Sequence, residues 1–153
     1  MSLEDLSLFE ILNLCRRAGG ACLQRLRDIS ANVDPFDRPL RTFLERLQED
    51  ALRNVERTAE FAARMGPTDE PARGEPLYQQ HLNRHFQSFG TGFGEGWLDR
   101  DAAMHFAECV EEESSRFYWK LSHLAPDDES ARFFATAAEG DASRLARLRA
   151  VLL

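Results

Sequence analysis

The chain has 153 residues, a formal net charge of −7, and 43% hydrophobic against 29% charged side chains. That length suffices for one domain, residues 1–153, that buries an apolar core without disulfide or metal staples. The acidic balance argues against a nucleic-acid backbone or an anionic membrane surface as partner, since both need a basic patch. No apolar run reaches membrane-spanning length, and the opening MSLEDLSLFE has neither a basic n-region nor a small-residue cleavage site. Cys15, Cys22 and Cys109 are an odd set without C-x-x-C spacing, which points to reduced thiols in a cytoplasmic protein.

The first helix is expected from about Asp5 to Ile29, with Phe9, Leu12, Cys15, Gly19, Cys22, Leu26 and Ile29 on one face. Ser7 and Glu10 have the spacing of a capping box, and Gly19 with Gly20 predicts a flat patch where another helix comes close. After the connector ISANVDPFDRP, a second helix runs from about Pro39 to Met65, where Gly66 and Pro67 stop it. Its inward stripe includes Leu40, Phe43, Leu47, Asp50, Asn54 and Phe61. Residues 66–98 break the pattern and read as a long crossover containing a short helix around Tyr78 to Phe89. A third helix is expected from about Asp99 to Leu124, with Phe106, Val110, Ser114, Phe117, Leu121 and Leu124 inward. The fourth starts behind Pro126 and the N-cap candidate Asp127 and carries Phe134, Ala137, Asp141, Leu145, Leu148 and Leu152. No strand signal competes, so the fold class is all-α: two helical hairpins joined by a long crossover in a four-helix bundle.

Two segments share a pattern: FLERLQEDALR, from Phe43 to Arg53, and FATAAEGDASR, from Phe134 to Arg144. Each has a phenylalanine, then an acid seven places later and an arginine three beyond it, which suggests a duplicated hairpin. The second half, ECVEEESSRFYWKLSHLAPDDESARFFATAAEGDASRL, resembles the ferritin-like superfamily, the rubrerythrin type most closely. Glu111 stands seven before Tyr118, LAPDDES is similar to the acidic connector, and Asp141 with Arg144 falls where the family carries Glu-x-x-His. By the same resemblance Cys15 takes the first-half Glu place, Cys22 the Tyr place, and Asp50 with Arg53 the other pair. The resemblance implies a ferritin-like fold and a site that in the family binds two irons for redox chemistry.

Arginine has no acceptor and cannot ligate iron, so the vestigial positions Cys15, Asp50, Arg53, Glu111, Asp141 and Arg144 imply no metal there and no cofactor, with iron or zinc as the alternative. Two roles stay open for Arg53 and Arg144: solvated arginines in weak i, i+3 pairs, or cations that replace metal between converging carboxylates. A separate zinc possibility joins His81 and His85, one helical turn apart, to His105 and Glu108. The expected function is a binding or assembly module with a homodimer or protein partner, the alternative a rubrerythrin-type metal-dependent oxidoreductase or iron-binding protein.

Overall fold

A computed structural model describes residues 3–65 and 98–152. After a short 3-10 turn at Leu3–Asp5, four α-helices follow: α1 Leu8–Ala31, α2 Arg38–Arg64, α3 Arg100–Leu124 and α4 Asp128–Leu152. Among the described residues there is no strand, only an isolated bridge between Val33 and Leu98. The crossover expected over residues 66–98 lies, apart from Leu98, outside the described residues.

Each helix starts where a short polar side chain can satisfy backbone N–H groups that have no intrahelical acceptor. Ser7 and Glu10 make the capping box of α1, Glu10 N–H donating to Ser7 Oγ at 3.2 Å and Ser7 N–H to Glu10 Oε1 at 3.1 Å. Asp37 caps α2 through Leu40 N–H, Asp99 caps α3 through Ala102 N–H, and Asp127 accepts from Ser130 N–H at 2.7 Å at the head of α4. Asp37 also receives both Nε and Nη2 of Arg100, at 3.1 and 2.6 Å, which ties the start of α3 to the start of α2. That fork, more than the backbone cap, holds the Asp37 carboxyl below the usual range.

The apolar faces meet in two clusters. One gathers the end of α1 from Cys22 to Ile29 with Val33, the start of α2 from Leu40 to Ala51, and Ala103 to Val110 of α3. The other gathers Leu6, the start of α1 up to Ala18, Phe61 near the end of α2, Phe117 to Leu121 of α3, and Phe134 with Ala138 of α4. The helices therefore run up, down, down and up, with α2 and α4 antiparallel. α1 packs mainly on α2 and α3 on α4, and α1 against α3 joins the two pairs. Met65 packs against the second cluster, whereas Leu98 packs against the first and donates its N–H to Asn32 O.

Small residues set the spacing of α1. A Cβ on Gly19 would lie 3.1 Å from Val55 Cγ2 of α2, so the missing side chain lets the two helices approach, while a Cβ on Gly20 would meet open space. The flat patch expected around both glycines is thus used on one side only.

Candidate functional site

A polar layer separates the two apolar clusters at mid-height. α2 contributes Asp50 and Asn54, α3 Glu111 and Ser114, and α4 Asp141 and Arg144, while α1 lines it with Gly19, Cys22 and Leu26. Each position lies on the inward stripe of its own helix, between apolar residues of one cluster and the next. Burying such groups is costly unless every one has a partner.

Asp141 has three. Its side chain is 1% exposed; Ser114 Oγ donates to Oδ2 at 2.6 Å, Asn54 Nδ2 to Oδ1 at 3.3 Å, and Arg144 Nη2 closes a short ion pair to Oδ1. Arg144 Nε then points toward Glu111 Oε2, 3.6 Å away, and Asp50 Oδ2, 3.9 Å away. Those distances give charge attraction without a hydrogen bond, and Nε is a buried nitrogen with no hydrogen-bond partner. Burial raises the Glu111 carboxyl to about 7, partly opposed by Arg144 and reinforced by Asp50. Below that pH the layer holds a neutral Glu111, with Asp50 and Asp141 facing one guanidinium.

Arg53 does not join. Its side chain is 57% exposed and leans toward Glu49 and Asp50 at 3.9 and 3.6 Å. Of the two arginines proposed as metal substitutes, only Arg144 is internal. Cys15 also lies elsewhere: it is fully buried in the second apolar cluster, beside Tyr118, and burial drives its thiol pKa up. Cys22 reaches the layer instead, near Glu111 and Ser114, and burial pushes its thiol up to about 12. The reason is axial offset. Because α1 and α3 are antiparallel, the level of Glu111 meets Gly19 and Cys22, and the level of Tyr118 meets Cys15. Tyr118 itself is buried, its phenol pKa raised by burial, and its hydroxyl is within hydrogen-bonding reach of Thr58.

The two irons implied by the resemblance do not fit these residues. The guanidinium of Arg144 occupies the place where the three carboxylates converge, and the cavity beside it is only about 10 Å³, room for one water molecule at most. Among the described residues no group of three or more His, Cys, Asp or Glu is placed to hold a metal ion. Of the separate zinc set, His81 and His85 lie outside the described residues. His105 is exposed, and Glu108 is drawn to Arg149 Nε at 3.7 Å.

Sequence reasoning placed Asn54 and Ser114 on inward stripes but gave them no role; polar side chains at apolar-stripe positions were the available signal. It did not single out Thr58, whose hydroxyl donates to Asn54 O at 2.8 Å. Trp119 is 51% exposed and meets His123 edge to face. No described helix is long and apolar enough to cross a membrane.

Comparison with known proteins finds no matching family model, no matching curated protein and no matching solved structure.

Proposed function

We propose that this chain is a ferritin-like bundle of the rubrerythrin type in which an internal arginine has replaced the diiron centre, and that it works as a binding module. One observation carries the proposal: Arg144 reaches Asp50, Glu111 and Asp141 from a single guanidinium, in the layer where converging carboxylates would otherwise need metal. The order of the helices supports the ferritin-like part. Met65 packs at one end of the bundle and Leu98 at the other, the placement of end points that a long crossover calls for. Among the described residues the central layer is closed by its own charges, with room for no more than one water molecule beside Arg144, which favours recognition outside that layer over chemistry within it.

Elemental analysis and visible absorption of protein purified from iron-supplemented cells test this. The expected result is less than about one tenth of an iron per chain and no absorption beyond the aromatic band. Two irons per chain with visible charge-transfer absorption would overturn it in favour of the metal-dependent oxidoreductase.

A further inference from the structure

Outside the central layer, α2 and α4 leave a groove of about 390 Å³ between them, within the range of small-molecule sites. Its α2 wall steps through Asn54, Arg57, Thr58, Phe61 and Arg64, positions on one helical face, and Tyr118 closes its depth. Phe61 and Phe133 stack across it with ring centres 4.3 Å apart and planes 9° from parallel. Arg64 lies over the Phe61 ring at 5.4 Å.

The charge on this groove is opposite to that of the chain. Arg57, Arg64, Arg132 and Arg144 line it against the single acid Glu129. Arg144 is held by Asp141, so three arginines face one glutamate in a molecule whose net charge is −7. Arg57 and Arg132, one on each wall, are exposed and make no ion pair among the described residues. Two guanidinium forks and an aromatic pair lining one open groove of this size complement one kind of occupant.

We propose that the groove binds a small planar aromatic anion, with its ring against Phe133, the half-buried member of the Phe61–Phe133 stack, and its carboxylate or phosphate between Arg57 and Arg132. Offset stacking extends a pair that is already flat, and the arginines supply the planar, doubly donating geometry that oxyanions take. This inference rests on the reading of the chain as a binding module and names the class of ligand.

Calorimetric titration of the intact chain with naphthoate, naphthyl phosphate and naphthylmethylammonium tests it. At least one anion is expected to bind saturably, one per chain, with Kd below about 1 mM, and the better of the two identifies the head group; the cation is expected not to bind. Arg57→Gln with Arg132→Gln should weaken the anion at least about tenfold. Thr136→Trp, on the exposed α4 wall, should fill the groove and abolish binding without altering charge or Tm. Equal binding of the cation, indifference to these variants, or no saturable heat from either anion would each overturn the proposal. So would a dimer of the parent chain that the double arginine variant dissociates, since a second copy would then be the occupant. Iron in the preparation would refute the metal-free reading and leave these titrations unchanged, whereas absent binding would refute the ligand and leave the metal analysis unchanged.

Discussion

Twice in this chain an acid is followed three places on by an arginine, and the two copies end in different environments. On α4, Asp141 and Arg144 are drawn into the central layer with side chains 1% and 11% exposed; on α2, Asp50 and Arg53 stay at 27% and 57%. One guanidinium already reaches all the carboxylates of the layer. A second would have to shed its water to enter the layer, and that desolvation costs several kcal/mol. Asn54 and Ser114 both donate to Asp141, which fixes the α4 copy as the buried one. A repeated local pattern therefore specifies a helix face, and the neighbours decide which copy is enclosed.

The sharpest way to break this comparison is to remove the internal arginine. Arg144→Ala leaves Asp141 buried with two neutral donors and Glu111 with no cation, and should destabilise by about 3 kcal/mol or more in denaturant unfolding. Adding Asp141→Asn should recover part of the loss, giving a favourable coupling between the two positions in a double-mutant cycle. A loss below about 0.5 kcal/mol for Arg144→Ala would mean that the guanidinium is not the cation of the layer.

A similar effect should appear with pH. Glu111 has its ordinary value near 4.5 in the unfolded chain and about 7 in the fold, so the folded state binds the extra proton between these limits. Its contribution to stability is fully present below 4.5 and is lost as pH rises through 7. The shift corresponds to roughly 3 kcal/mol lost across that window, read as a falling denaturation midpoint. Glu111→Gln should flatten this part of the profile. Asp50 and Arg144 face Glu111 from α2 and α4, so Asp50→Asn should lower the Glu111 value, and a profile unmoved by both changes would place the titration elsewhere.

How much of this was legible in the sequence divides along the same line. Helix starts were legible, because Ser7, Asp99 and Asp127 are short polar side chains before apolar-periodic runs and satisfy N–H groups locally. So were the polar positions of the inward stripes, Asp50, Asn54, Ser114 and Asp141. What one helix cannot reveal is its axial offset against another, which is why Cys15 was assigned to the Glu111 level and Cys22 reached it. On α3 the expected inward Phe106 is only partly buried, whereas Ala103 and Ala107 are fully buried, because a close helix contact selects small side chains over a large one. The groove was illegible for the same reason: Arg57 and Arg132 read singly as solvated charges, and only the facing of α2 and α4 brings them to opposite walls.

The two glycines of α1 make a smaller contrast. Gly20→Ala removes backbone freedom from the unfolded chain at a site open to solvent and should stabilise by about 1 kcal/mol. Gly19→Ala gains the same propensity but presses a methyl toward Val55 at 3.1 Å, so it should fall short of the Gly20 variant by about 1 kcal/mol. Equal Tm gains would mean that α1 and α2 are not held apart by that contact.

The smallest expected effect tests the other half of the comparison. Arg53 pairs with Glu49 at 3.9 Å and with Asp50 at 3.6 Å, both i, i+4 and i, i+3 contacts of a half-exposed side chain. Such pairs gain little over hydration, because water screens them and two long side chains lose rotamer freedom to meet. Arg53→Ala should therefore change stability by less than about 0.5 kcal/mol, and less still at high salt, where the attraction is screened further. It should also leave the pH profile of Glu111 in place, since burial, then Arg144 and Asp50, set that titration. A loss comparable to that of Arg144→Ala would show Arg53 sharing the charge of the layer, and the contrast between the two copies would vanish.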